Sequence, residues 1–85
     1  MNNIQVVSKY IKEKNIEIDN SGAGIKISHD YDCFIISGSQ SDLIELADYI
    51  TSVALSKDKN DHIHIDNTTL INEESDVKEL IIEKE

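Results

Sequence analysis

The stretch Asp61-His62-Ile63-His64-Ile65-Asp66 alternates polar and apolar residues so strictly that a β-strand is the backbone that fits it. Successive strand side chains point to opposite faces, so Ile63 and Ile65 meet a core while His62, His64 and Asp66 line the other side. Two imidazoles and a carboxylate on one face allow two chemistries. They suit zinc or iron as ligands, or they form the solvated face of a half-buried strand. Neighbours on one face sit roughly 6.5–7 Å apart. A tetrahedral zinc with bonds of about 2.0–2.2 Å can bridge two of them but strains across three. Longer zinc-hydrolase motifs of this type add a His directly after the Asp, and here that position is Asn67. His29 lies far away beside Asp30, and Cys33 sits in an apolar run. The solvated face, with one or two His–carboxylate hydrogen bonds, is the preferred reading. No metal or other cofactor is expected.

Eighty-five residues make one domain, residues 1–85, with a single core and modest stability, on the order of 5 kcal/mol. One cysteine excludes an internal disulfide and fits a reducing cytosol. The first residues carry no basic charge, and the apolar run at 4–7 is too short for a signal peptide. No segment approaches the ~20 apolar residues of a membrane span. A cytoplasmic protein is the expectation. Charge narrows the partner. Seventeen acidic residues face eight lysines and no arginine, a net charge of -9. Phosphate binding needs clustered Lys and Arg, so nucleic acid and anionic membranes are disfavoured. A basic protein is the natural partner, because opposite fields steer the encounter. The absence of Arg and Pro beside many Ile, Lys, Asn and Asp suggests an AT-rich bacterial gene.

Residues 4–14 carry both a helical face (Ile4, Val7, Ile11) and a strand-favouring set (Val6, Val7, Tyr10, Ile11). The reading leans to strand, with helix left open. Ile16-Glu17-Ile18-Asp19 alternates, residues 20–24 read as a turn, and Ile25-Lys26-Ile27-Ser28 alternates again, which predicts a hairpin. Cys33-Phe34-Ile35-Ile36 reads as a central strand buried on both faces, where a thiol is inert. Ser39 caps a helix with Asp42 three residues on. Leu43, Leu46, Ala47, Ile50, Val53 and Ala54 follow as an apolar stripe to about Ser56. Residues 57–61 are a polar loop, 67–76 a longer acidic one holding Leu70 and Ile71, and Leu80-Ile81-Ile82-Glu83 a last strand antiparallel to 62–66. The expected fold is α+β: an antiparallel sheet of four to six strands with one long helix packed on one face.

Ser37-Gly38-Ser39 with Asp42-Leu43 and Leu46-Ala47, then His62-Ile63-His64-Ile65-Asp66, then Ser75 and Glu79-Leu80-Ile81-Ile82-Glu83, resembles a family of small bacterial immunity proteins. These accompany polymorphic toxins, including those of contact-dependent growth-inhibition systems. The resemblance covers roughly the last fifty residues; its most specific element is the His-x-His-x-Asp strand with the terminal Glu-Leu-Ile-Ile-Glu. It implies a protein that binds and neutralises one cognate toxin in the producing cell's cytosol, without catalysis of its own. A basic nuclease such as a tRNase or DNase fits an acidic inhibitor, which would present carboxylates to its Lys and Arg.

Carboxylates on loops are the candidate contacts, because loops project from a rigid sheet. Asp58, Asp61, Glu73, Glu74 and Asp76 come first, then Asp30 and Asp32, with Tyr31 or Tyr49 as an aromatic anchor and Leu70 and Ile71 in reserve. Two other classes stay open: a small metal-binding protein or enzyme using His62, His64 and Asp66, and a plain assembly subunit with another basic partner. No nucleophile–base pair is legible, so the protein reads as no enzyme.

Overall fold

A computed structural model describes residues 3–17 and 23–85. They form helix α1 (Asn3–Glu17), strands β1 (Lys26–Asp30) and β2 (Cys33–Ser37), helix α2 (Gln40–Ala54), and strands β3 (His62–Asp66) and β4 (Glu79–Glu83). The alternating segment 62–66 is β3, and it pairs antiparallel with β4 from His62↔Glu83 to Asp66↔Glu79. Its isoleucines turn inward as the alternation requires: Ile65 is fully buried and Ile63 packs against the core.

Helix α2 starts where the capping chemistry places it. Ser39 Oγ accepts the Asp42 N–H at 3.2 Å, and Asp42 Oδ2 accepts the Ser39 N–H at 3.3 Å. This closes a reciprocal capping box, which satisfies amides that the first helical turn leaves without partners. The buried face of α2 is narrower than the stripe in the sequence. Leu46 and Val53 are buried and Tyr49 packs beside them, whereas Leu43 and Ile50 are exposed. The core thus follows 46, 49 and 53, one helical face, and Ile50 is not the core residue the stripe suggested.

Among the described residues the expected single sheet of four to six strands is replaced by two antiparallel two-stranded sheets, β1–β2 and β3–β4, with two helices rather than one. An irregular segment takes the place of a further strand along β1. Ile25 N–H donates to Leu70 O and Asn72 N–H to Ile25 O, both at 2.8 Å, and Asp76 N–H donates to Ile27 O at 3.0 Å. Gly24 makes this approach possible: its φ is +93°, and a Cβ there would run into the Leu70 carbonyl oxygen. Leu70 and Ile71 are therefore core, packed with Ile25, Ile27, Leu46 and Ile65. They are not available as surface contacts.

Residues 4–14 belong to a helix, not a strand. Intrinsic propensities differ by only about 0.5 kcal/mol per residue, so tertiary contacts decide. Lys12 Nζ reaches Asp48 Oδ1 at 2.8 Å and Ser52 Oγ at 3.0 Å across α1 and α2, and Ser8 is buried in α1. Lys14 stacks over the Tyr10 ring one turn earlier. Residues 16 and 17 end α1, so the predicted first hairpin does not begin there. Its residues 18–22, with Asp19 and Gly22, lie outside the described part.

The actual first hairpin pairs β1 with β2 through a two-residue turn, Tyr31-Asp32, with Tyr31 at φ 52°. Strand β2, expected to be buried on both faces, is exposed along its whole length, Cys33 included. Among the described residues no strand pairs with β2's far edge, and segment 70–76 pairs with β1 on the side away from β2.

Candidate functional site

The segment that replaces a strand along β1 also carries the densest group of candidate carboxylates. Its backbone is fixed at many points. Asn72 Oδ1 accepts the Glu74 N–H at 2.8 Å, and Asn72 Nδ2 donates to Ala23 O at 2.7 Å. Ser75 N–H donates to Asn72 O at 3.0 Å. The buried Ser75 hydroxyl accepts the Ile27 N–H at 2.8 Å and lies 2.8 Å from the Val77 carbonyl oxygen. Lys78 Nζ closes the turn on the carbonyls of Glu73 and Ser75 at 2.6 and 2.5 Å. The outcome is a rigid turn with Glu73, Glu74 and Asp76 all exposed. Glu74 pairs with Lys26 at 2.8 Å, and that hydrogen bond and charge hold its carboxyl below the usual glutamate range.

This turn borders a depression that the sequence did not reveal. A cavity of about 270 Å³ is lined by Ala23, Gly24, Asp42, Glu45, Asn67, Thr69, Leu70 and Ile71. A second, of about 390 Å³, shares Ala23, Asn67 and Ile71 and adds Asn72, Glu73 and Glu74. The shared residues join the two into one open, polar basin with the half-buried Glu45 on one side and the exposed Glu73 and Glu74 on the other; Asp42 also borders it but is buried, its carboxylate engaged in the helix cap. Asp42 and Glu45 are the acidic residues that sequence reasoning missed. Asp42 was legible only as a cap; the place of both residues beside the 67–74 segment is a long-range outcome. Such a basin suits a lysine or arginine side chain from a partner.

The other candidates lie elsewhere. Asp58 is exposed in the loop before β3, and Asp61 is half-buried at its end. Ser56 and the His62 amide hydrogen-bond the Asp61 carboxyl and lower its pKa. Lys84 clamps this loop, donating N–H to Asp61 O at 2.8 Å and Nζ to Ser56 O at 2.6 Å. Asp61 thus sits at the opposite end of β3 from residue 67, about 20 Å away along the strand. Asp30 and Asp32 flank the first hairpin's turn and are exposed. Tyr31 is 91% exposed beside them, whereas Tyr49 packs against the core with its hydroxyl 3.4 Å from Glu45. Burial, then the Glu45 charge, raises the Tyr49 pKa.

On the outward face of β3 the His62 and His64 rings meet edge-on, 5.0 Å between centroids. His64 Nδ1 lies 3.4 Å from Glu79 Oε2, and His62 Nδ1 lies 3.3 Å from Asn60 O. Asp66 turns away from both: its Oδ1 accepts from Thr68 N–H at 2.9 Å and Thr68 Oγ1 at 2.6 Å. Those bonds lower its pKa. Among the described residues no three His, Cys, Asp or Glu side chains are grouped to hold a metal ion. No helix among them is long and apolar enough to cross a membrane.

No curated protein and no solved structure matches the chain. The Immunity protein 32 family matches residues 34–85, from the second residue of β2 through α2, β3, the pinned turn and β4. That stretch is more than half of the sequence and holds both walls of the acidic basin, and the chain therefore belongs to the Immunity protein 32 family.

Proposed function

We propose that this immunity protein neutralises a basic toxin, a nuclease such as a tRNase or DNase, by setting its carboxylates against the toxin's Lys and Arg side chains. The observation that carries this reading is the pinned turn at 72–76. It holds Glu73, Glu74 and Asp76 in solvent on a backbone hydrogen-bonded to Ala23, Ile27 and its own turn, beside a basin bordered by Asp42 and Glu45. Preorganised carboxylates lose little conformational entropy on binding. A net charge of -9 adds a long-range field that draws a cationic partner in. Asp58 and Asp61 at the far end of β3, and Asp30 and Asp32 at the hairpin turn, extend the acidic surface and act as its rim. The protein works in the cytoplasm of the producing cell by binding alone, with no reaction of its own.

The test is protection of toxin-expressing cells by a variant with Asp61, Glu73, Glu74 and Asp76 all changed to Lys. Net charge then rises from -9 nearly to zero. Protection should be lost while the circular-dichroism spectrum stays that of the folded wild type and the melting midpoint, lowered by loss of the Lys26–Glu74 pair and the Asp61 hydrogen bonds, remains above the assay temperature. Glu13→Lys, on the exposed face of α1, serves as the charge control.

A further inference from the structure

The acidic surface leaves one part of the molecule unused. Residues 33–41 are the longest charge-free run in the sequence, bracketed by Asp32 and Asp42, and β2 occupies its first half. Along β2 Phe34 is 68%, Ile35 47% and Ile36 43% exposed, and Tyr31 stands out from the adjoining turn. Phe34 and Ile36 face an open groove of about 360 Å³, completed by Ile27, Val77 and Leu80, with no polar lining. Among the described residues β2 pairs only with β1, so its outer edge carries unmatched backbone donors and acceptors. It has none of the usual edge protection: no lysine, no proline and no bulge.

We propose that this edge pairs with the same edge of a second copy, forming a symmetric dimer through antiparallel β2 strands. Two properties of the strand point to a copy of itself. The first is charge. A chain of net charge -9 repels its own kind everywhere except where charge is absent, and β2 is such a place; a cationic partner finds no carboxylate on it. The second is register. In a hairpin closed by a two-residue turn the closing pair, here Asp30 and Cys33, bonds inward, and alternate residues point outward. Phe34 and Ile36 therefore offer their backbone groups to the edge.

A twofold axis through Ile35 sets Phe34 opposite Ile36 of the second copy, twice. That satisfies about four backbone hydrogen bonds and faces apolar side chain with apolar side chain. Cys33 then meets Ser37, Asp32 meets Gly38, and no like charges oppose each other. The two apolar grooves join into one strip across the axis. The four exposed residues supply roughly 400–500 Å² per chain, hence about 800–1,000 Å² for the pair, the lower limit for a specific interface. Even with all of that area buried the interface is a weak, reversible one, so the dimer should be concentration-dependent.

Sedimentation equilibrium of the full chain, from about 1 to 200 μM, tests this. The mass should rise from one 9.6 kDa chain towards two, and Phe34→Lys should hold it at one chain. The register has its own readout. Ile35 meets itself across the axis at about 4.5 Å between Cα atoms, within disulfide reach, whereas the two Cys33 residues are separated by about 13 Å along the strand. Mild oxidation should therefore cross-link the double variant Cys33→Ser, Ile35→Cys and leave the wild type uncross-linked. A monomer throughout the range overturns the proposal. So does a dimer that persists in Phe34→Lys and gives no cross-link at position 35. A monomer whose Phe34→Lys form no longer binds toxin assigns the edge to the toxin instead, and overturns it as well.

Discussion

Changing Ser75 to Ala removes one oxygen atom, yet it should cost this domain about half its stability. The Ser75 side chain is 2% exposed and bridges two backbone segments 48 positions apart in sequence. It accepts the Ile27 N–H at 2.8 Å and reaches the Val77 carbonyl at 2.8 Å. Alanine leaves the buried Ile27 amide without an acceptor, a penalty of about 1–3 kcal/mol, and forfeits the bond to Val77, about 0.5–1.5 kcal/mol more. A loss of about 2–3 kcal/mol follows, against a total on the order of 5 kcal/mol for a chain of this size. Urea unfolding followed by far-ultraviolet circular dichroism measures it directly. The melting temperature should fall by about 10–20 °C, given about 4–8 °C per kcal/mol in a small domain. Lys59→Ala, exposed in the loop before β3, should change stability by less than about 0.5 kcal/mol. If Ser75→Ala is equally silent, the 72–76 turn is not pinned through this hydroxyl, and the case for preorganised carboxylates fails with it.

Two further perturbations test the packing and the charges. Leu46→Ala should destabilise by about 2–4 kcal/mol, whereas Ile50→Ala, 45% exposed, should cost less than about 1 kcal/mol; similar losses in urea titrations would mean that α2 is rotated from the orientation described. The Asp61, Asp66 and Glu74 carboxyls are all lowered in the folded chain, by Ser56, Thr68 and Lys26 respectively in first place. A lowered carboxyl contributes stability that is present above its unfolded pKa and is lost as pH falls through the folded one. The urea midpoint should therefore hold down to about pH 4 and decline below it. Carboxyl chemical shifts should place the Asp66 midpoint below about 3.9, and a midpoint at or above that value would contradict its bonds to Thr68.

What the sequence disclosed and what it withheld divide along one line. Ser39 with Asp42, and the alternation of 62–66 beside the apolar run 80–82, are local signals, and both the helix start and the antiparallel pairing of β3 with β4 followed from them. The same holds for the family: the residues carrying the resemblance fall within the matched stretch 34–85. Features fixed by distant contacts were not legible. Residues 4–14 carry strand-favouring side chains but form a helix tied to α2 through Lys12, Asp48 and Ser52. Phe34, Ile35 and Ile36 look like core, and nothing local reports that segment 70–76 occupies the far side of β1 and leaves β2 at an edge.

One signal was there to be used. Leu70-Ile71, an apolar pair inside an acidic loop, marks a segment anchored in the core. Reading it that way would have placed Glu73, Glu74 and Asp76 on a rigid turn from the start. Asp42 and Glu45 would still have been missed, because their place opposite that turn depends on how α2 lies against residues 67–74.

The central claim is electrostatic recognition of a basic toxin by the carboxylates around the pinned turn. Its most direct test is the association rate with a cognate toxin domain, identified by co-purification, measured by stopped flow from about 50 to 500 mM salt, where the screening length shrinks from about 14 to 4 Å. Wild-type association should slow by about tenfold or more while dissociation changes little. The variant carrying Lys at 61, 73, 74 and 76 should start slow and show almost no salt dependence. A wild-type rate that ignores salt, together with a fourfold variant that associates as fast and protects cells as well, would contradict the account.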